Sequence, residues 1–322
     1  MAGSPVTPID RAVAPVRVHV LLATYNGSAF LPRQLDSVLA QQGVSVRVSI
    51  RDDGSSDGTA QLVADRVSAD VRVGRVGGSS FLRGAAGNFL RLVLDAPVEP
   101  DEYVAFCDQD DLWDADKLAR GAAGLRWSGA DGYSAATRAR WPDGRERVLA
   151  QTPRESLADY LFEGAGQGCT FVLSPGLFAR LRAAAAALER QPLVVHYHDW
   201  LCYAVCRAAG LRWHFDAQPC MTYAQHGAND TGARASSSGL ARRLRLVMNG
   251  WYAQQVKAVA GALVQAGIAS DATHAWLAHS QHRRGLSAIG QRLWRLAFVL
   301  RHGRRRLSDR LVLALAVICG AL

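Results

Sequence analysis

Tyr103-Val-Ala-Phe-Cys-Asp-Gln-Asp-Asp-Leu-Trp113 is the stretch from which the rest of this chain is read. Tyr103 to Cys107 is a short apolar run rich in β-formers, which suits a buried strand. Three carboxylates, Asp108, Asp110 and Asp111, follow at its mouth. Folding alone does not call for them: they repel one another and cost desolvation unless a cation or a donor joins them. In extended backbone residues i and i+2 point the same way, so Asp108 and Asp110 are placed to face one ion. Hard oxygen ligands suit Mg²⁺ or Mn²⁺ that also carries phosphate oxygens. A calcium loop is excluded, because Leu112 and Trp113 stand where it needs an acid and a glycine. The plainer reading is a polar, helix-capping turn after a core strand.

Toward the N-terminus, Val16 to Ala23 predicts a strand that runs into the polar turn Thr24-Tyr25-Asn26-Gly27. Phe30 to Gln42 has apolar residues at helical spacing and predicts an amphipathic helix. Val44 to Ile50 predicts a second strand, followed by Arg51-Asp-Asp-Gly-Ser-Ser-Asp-Gly-Thr59. Asp57 is placed to cap a helix over Thr59 to Val67. A third strand is expected over Val71 to Val76, a glycine-rich loop over Gly84 to Gly87, and a helix from Asn88. This alternation implies an α/β fold with a mostly parallel sheet flanked by helices. Ligands in such sheets sit beyond the carboxyl ends of the strands. The turns Thr24–Asn26, Asp52–Asp57 and Asp108–Asp111 are therefore expected to share one crevice. No GxGxxG or P-loop pattern follows the first strand. Gly164-Ala-Gly-Gln-Gly168 precedes a strand expected over Cys169 to Leu173, and its glycines read as sites of close backbone approach.

Further on, His196-Tyr-His-Asp-Trp200 leads into a helix expected over Leu201 to Ala209. Asp199 stands at its start, where the helix dipole favours an anion; as an N-cap alone it is structural. In Tyr223-Ala-Gln-His-Gly-Ala-Asn-Asp-Thr231, His226 lies among amide side chains and a glycine, which marks a site candidate over an ordinary surface histidine.

The 322 residues are 49% apolar and 20% charged, ordinary for a globular chain of one large domain and an appendage. The net charge of +9 is unevenly placed: Arg234 to Arg310 holds 14 Lys/Arg against 2 Asp/Glu, and the remainder is mildly acidic. The six cysteines fit neither a disulfide framework nor a zinc ribbon, and Cys202 and Cys206 beside His198 read as core thiols. Residues 1–15 read as a flexible tail without the basic start and apolar core of an export signal. No apolar run reaches the ~18 residues of a membrane span. Reduced thiols and no export signal predict the cytoplasm.

LLATYNG (21–27), RDDGSSDGT (51–59), GNF (87–89), FCDQDDLWDADK (106–117), GCTFVLSP (168–175), HDWL (198–201) and YAQHGAND (223–230) stand in an order that resembles family 2 glycosyltransferases of the GT-A fold. The likeness covers residues 16–232 as one domain, and within the family it looks most like bacterial rhamnosyltransferase-type enzymes of surface polysaccharide synthesis. It implies an inverting transfer of rhamnose or a similar hexose from a dTDP-, UDP- or GDP-linked donor to a hydroxyl of a growing, lipid-linked glycan. Thr24, Tyr25 and Asn26 would line the nucleotide, Asp53 would accept hydrogen bonds from base or ribose, and Asn88 would touch nucleotide or sugar. Asp108 and Asp110 would be the DxD pair holding Mg²⁺ or Mn²⁺ across the diphosphate. Asp111 would hold sugar hydroxyls and Trp113 would wall the site. Asp199 would be the base, oriented by His198; Gln225 and His226 would face the donor, His226 at the diphosphate or the metal. The QxxRW motif of processive members is absent from this sequence, which implies addition of one or a few sugars. Two alternatives stay open: a sugar nucleotidyltransferase, whose Gly-rich basic loop Thr24–Gly27 does not match, and a non-catalytic nucleotide-sugar binding protein.

Residues 233–322 fall outside the likeness and read as basic and mostly helical, with a linker at Ser236–Gly239. Leu293–Leu300 is apolar, Arg301–Arg306 basic, and the apolar run Leu311–Leu322 is too short to span a bilayer but suits an interfacial segment. Peripheral docking on the anionic inner face of the cell membrane is one expectation; a helical dimer or packing surface with a solvated basic face is the other. No nucleic-acid recognition fold is recognisable.

Overall fold

Val16–Thr24 is apolar on both sides, and in the computed structural model it forms β1, a strand buried on both faces near the middle of the sheet. The structure describes residues 15–79, 82, 84–141, 143–150, 153, 155–190, 193–224, 245–281 and 286–322. β1 pairs in parallel with β2 (Val44–Asp52) and β4 (Tyr103–Cys107), and β2 with β3 (Val73–Arg75). The remaining strands are β5 (Leu112–Trp113), β6 (Gly132–Arg140), β7 (Glu146–Leu149), β8 (Val172–Leu173) and β9 (Trp213–Ala224). The sheet order is β3-β2-β1-β4-β8-β6-β9-β5, with β7 on the outside of β6. β8 runs antiparallel to both β4 and β6, β9 parallel to β6, and β5 antiparallel to β9. The sheet is thus parallel through its first four strands and mixed beyond β4.

Side chains alternate across the sheet with period two. Val20 and Leu22 of β1 face a cluster with Leu31, Leu35 and Val38 of α1 (Leu31–Leu39) and Leu118 and Leu125 of α4 (Lys117–Ser128). Leu21 of β1 and Phe106 of β4 face the other cluster, with α3 (Gly84–Asp95), α5 (Pro175–Arg190) and α6 (His198–Ala208). α2 (Thr59–Ala69) follows β2 and contacts β2 and β3. α3 starts four residues before the expected Asn88. The expected strand over Cys169–Leu173 is confined to Val172–Leu173, because residues 168–170 close into a 3-10 turn through Phe171 N–H to Gly168 O.

The C-terminal region adds α7 (Trp251–Gln265), α8 (Asp271–His279), α9 (Leu286–His302) and α10 (Leu307–Ile318). Val256, Val259 and Leu263 of α7 share one apolar cluster with Phe162, Trp200 and Tyr203. Two residues of the basic run turn inward: Arg304 pairs with Glu163, and Arg305 with Asp159 and Glu163. The tail before residue 15, the boundary at 232/233 and the Ser236–Gly239 linker lie outside the described residues.

Candidate active site

The parallel register fixes which residues meet. Thr24 is level with Asp52, and Leu22 with Cys107, so the loops after β1, β2 and β4 leave the sheet on one edge. Side-chain hydrogen bonds then lock these loops together. Gln109 Oε1 accepts from Thr24 Oγ1 at 2.6 Å and from Tyr25 N at 2.9 Å, while Gln109 Nε2 donates to Tyr25 O at 3.1 Å. Asn26 takes the left-handed conformation (φ 47°), which Asn tolerates better than most residues. That turn lets Asn26 N donate to Ser55 Oγ at 2.8 Å and Asn26 Oδ1 accept from Ser56 N at 2.9 Å. Asp57 accepts from Thr59 Oγ1, Thr59 N and Ser28 N, and these bonds hold its carboxyl well below the usual range. The N-cap of α2 is Gly58 and not the expected Asp57, which stands one residue earlier, bonds the first helical residue Thr59 and ties it to the first turn.

After β2, Asp53 is half-buried and accepts from Arg51 Nη1 at 2.9 Å. Arg51 is buried; its Nη1 also donates to Asn88 Oδ1 at 2.8 Å and its Nη2 to Gly78 O at 2.9 Å. Asn88 Nδ2 in turn donates to Thr24 O at 3.1 Å and Arg51 O at 3.3 Å. The amide of Asn88 is therefore used in joining the ends of β1 and β2, below the surface, instead of reaching out to a ligand. Tyr25 is the exposed aromatic of the group.

The acid cluster lies at the next position along the edge. Burial first, then the charges of Asp110 and Asp199, push the Asp108 carboxyl up to about 7. Asp199, in the first turn of α6, is one of the charges that act on Asp108. Asp111 is buried and both of its oxygens are without a hydrogen-bond partner. Burial and the neighbouring acids hold its carboxyl well above the usual range. One ligand atom each of Asp108, Asp111 and Cys169 lie within 4.8 Å of one another. Orphaned buried carboxylate oxygens beside further acids are a donor set that fits a hard divalent cation, so the residues present suit the implied Mg²⁺ or Mn²⁺.

Three of the expected site residues pack inward. Asp111 is buried. Trp113 is buried, with Lys117 Nζ 3.5 Å from its ring centroid, so it is a floor and not a wall. His198 stacks on Phe89 at 3.8 Å and meets Phe106 edge-on at 5.1 Å. Its Nε2 is buried without a partner, and desolvation pushes the imidazole down to about 3. His198 is thus an aromatic wedge in the first turn of α6, packed between Phe89 and Phe106. Gln225 and His226 lie outside the described residues.

Sequence reasoning missed Arg51, Gln109, Lys117 and Cys169. Arg51 and Gln109 were hidden inside motifs read for their acids. Cys169 was read only as the start of a strand, and Lys117 only as the last residue of the motif that carries the acids. The glycines at 164 and 168 do permit close approach: a Cβ on Gly164 would stand 3.2 Å from Trp200 Cα, and one on Gly168 2.7 Å from His198 Nε2. A cavity of about 740 Å³ lies at the far end of α6, around Arg207, Trp294 and Phe298, and includes none of these acids.

The same stretch of chain carries a recognisable signature: residues 19–188 match the model of "Glycosyl transferase family 2". The chain belongs to family 2 of the glycosyltransferases. It is 32% identical over 243 residues to the dTDP-rhamnosyl transferase RfbG of Shigella flexneri, covering 75% of this chain and 84% of that protein. Among solved structures it is similar to S. aureus TarS in complex with UDP-GlcNAc, with a TM-score of 0.46, 16% identity, and 95% and 89% of the two chains covered. It is also similar to the mannosyltransferase PcManGT from Pyrobaculum calidifontis in complex with GDP-Man and Mn²⁺, with a TM-score of 0.45, 17% identity, and 96% and 89% covered. This glycosyltransferase has, among the described residues, no helix long and apolar enough to cross a membrane.

Proposed function

We propose that this glycosyltransferase moves rhamnose or a similar hexose, with inversion, from a nucleotide-diphospho-sugar to a hydroxyl of a growing, lipid-linked cell-surface glycan. What supports the reading is that Asp199 packs against Gly168, whose neighbour Cys169 lies within 4.8 Å of the Asp108 and Asp111 carboxylates, beyond the strand ends that carry Thr24 and Asp53. The relative RfbG favours dTDP-rhamnose among the donors. Asp53 is held by Arg51 with one face open, which suits hydrogen bonds from a base or ribose. Asp108 and Asp110 would hold the divalent cation, with Asp111 as buried negative charge behind them. When bound, that cation supplies Lewis-acid neutralisation of the leaving diphosphate.

Asp199 takes the proton of the acceptor hydroxyl. The acceptor oxygen forms its bond to the anomeric carbon as the bond from that carbon to the phosphate oxygen breaks, and the nucleoside diphosphate departs with the electron pair. The first turn of α6 directs backbone N–H groups toward the Asp199 carboxylate, and Trp200 N donates to Asp199 Oδ1 at 2.7 Å. That bond aims the carboxylate before substrate arrives. A thermal-shift series with Mn²⁺ and dTDP-rhamnose, UDP-sugars and GDP-sugars tests the donor. A donor at a hundred times its Kd adds about 2.7 kcal/mol of stability, several degrees in Tm. A series in which no nucleotide-sugar shifts the transition would reject the reading.

The same proposal places the protein peripherally on the inner face of the membrane. Leu307, Leu311, Leu315 and Ile318 form one stripe along α10 and are 67%, 57%, 56% and 54% exposed. The opposite face, Leu313, Ala314, Ala316 and Val317, is buried, so beyond its polar first turn, Ser308–Arg310, α10 is apolar on both faces while lying at the surface. Apart from the inward-turned Arg304 and Arg305, residues 286–322 hold five arginines and a single acid, Asp309, which complements anionic lipid. The intact protein is expected to float with phosphatidylglycerol vesicles and not with phosphatidylcholine, and the double variant Leu311→Glu, Leu315→Glu to stay at the bottom. Equal flotation of the variant, or self-association through this stripe in light scattering, would remove the membrane from the reading.

A further inference from the structure

The segment between Ser156 and Gly168 stands between the C-terminal region and α6, and bonds to both. On its C-terminal side, Ala158 N donates to His302 O at 3.2 Å, and Ser156 Oγ to His302 O at 2.9 Å and Gly303 O at 2.6 Å. Tyr252 of α7 donates to Phe162 O. Arg305 is the centre of this side. It is buried, its backbone N–H meets Glu163, its Nη2 donates to Gly164 O at 2.7 Å, and its Nη1 lies 3.4 Å from Asp159 Oδ2. Its guanidinium also lies 5.4 Å from the ring centre of Tyr203 in α6 and 5.0 Å from that of Phe215.

On its other side the segment supports α6. Asp159 is fully buried and accepts from Tyr203 Oη at 2.7 Å, and Arg207 Nη1 approaches it at 3.3 Å. Trp200 Nε1 donates to Tyr160 O at 2.8 Å. Gly164 and Gly168 lie close against α6: a Cβ on Gly164 would crowd Trp200 Cα at 3.2 Å, and one on Gly168 would clash with His198 Nε2 at 2.7 Å and stand 3.1 Å from Asp199 Cβ. A displacement of the segment is therefore passed directly to the turn that carries Asp199. His198 gives that turn packing but no hydrogen bond from its Nε2.

We infer that Arg305 is a positioning residue for catalysis: through Gly164 and Asp159 it sets the segment 156–168, and that segment sets the height and angle of Asp199. The C-terminal region is then part of the catalytic apparatus and not only an appendage. A buried ion network of this kind gives little net stability against an apolar replacement, and a buried arginine's planar fork fixes direction. The inference rests on Asp199 as the base, so its test separates the two.

Arg305→Met, Arg305→Lys and Asp199→Asn are compared with wild type as full-length protein. Amide hydrogen exchange is followed without substrate, and turnover and affinity are measured with dTDP-rhamnose or whichever nucleotide-sugar the thermal-shift series selects, using hydrolysis by water as the reaction. In Arg305→Met, faster exchange is expected in 163–168 and 198–201 while β1, β2 and β4 keep wild-type protection. kcat is expected to fall about 10²-fold, the scale of a 1 Å misplacement, with nucleotide-sugar affinity within about twofold. Arg305→Lys keeps the charge but not the fork, and is expected to fall between the two; if the Met variant does not fold, the Lys variant decides by the same readouts. Exchange confined to wild-type rates in 198–201, uniform loosening of the whole protein, or affinity falling in step with kcat overturns the inference. Wild-type turnover in Asp199→Asn instead removes the base assignment, whatever Arg305 does.

Discussion

Asp199→Asn lowers turnover by about 10²–10⁴-fold, the usual contribution of a positioned general base, and leaves nucleotide-sugar affinity within about twofold of wild type. The amide keeps the volume of the carboxylate and can still accept from Trp200 N, the bond seen at 2.7 Å. What it loses is the capacity to take a proton. The substitution also removes one of the two neighbouring charges that push Asp108 up, so the acid cluster is relieved and not disrupted. Donor binding therefore has no reason to weaken. Isothermal titration with the donor and Mn²⁺ reads affinity, and release of nucleoside diphosphate reads turnover. A non-catalytic binding protein would show no turnover to lose, and a nucleotidyltransferase would release pyrophosphate. Asp199→Asn protein that turns over at the wild-type rate would show that another group accepts the proton.

Much of this site was legible because it is local. The turns after β1, β2 and β4 are short, their acids stand next to the strands, and parallel pairing puts all three on one edge. That follows from strand order, which the alternation of strands and helices implies. The helix of Asp199 was legible for the same reason: an acid at a helix start is a local signal. The parts that escaped depend on contacts across long stretches of chain. Gln109 reads as the filler between two aspartates until the fold brings it 2.6 Å from Thr24 Oγ1. Asn88 reads as a ligand contact until both ends of its amide are found tying β1 to β2. His198 precedes the acid by one residue, but helical geometry turns it away into the Phe89–Phe106 cleft.

The basic run at Arg301–Arg306 shows the limit of charge counting. A cluster of like charges normally reads as a solvated face. Here Glu163 and Asp159, some 140 residues earlier, draw Arg304 and Arg305 inside. The sequence contains those acids but no marker that they are buried. The lipid-facing role then passes to the apolar stripe of α10, with the charges that stay outside as its flank.

Asp110→Ala abolishes the part of nucleoside-diphosphate affinity that depends on Mn²⁺, and reduces kcat/KM by at least about 10²-fold, since a Lewis acid on a leaving phosphate supplies several kcal/mol. The reason is electrostatic. Asp111 is buried and Asp108 partly so; desolvation and neighbouring acids oppose both charges, Asp110 and Asp199 acting on Asp108, and Asp108 and Asp110 on Asp111. Such a cluster holds its charge when a cation stands among the carboxylates. Asp110 stands two residues from Asp108 in the turn after β4, and its charge is one of those that raise the Asp108 carboxyl. Without it the remaining carboxylates hold less charge, and a divalent cation gains less from entering. Affinity for dTDP measured with and without Mn²⁺ should therefore converge in the variant, while the two curves stay apart in wild type. Asp53→Ala provides the contrast: it sits with Arg51 at the nucleotide side, so it is expected to weaken dTDP binding about equally with and without the metal. Should Asp110→Ala keep the full Mn²⁺-dependent gain in affinity, the cation would have to be held elsewhere, and the acids after β4 would serve only to shape the turn.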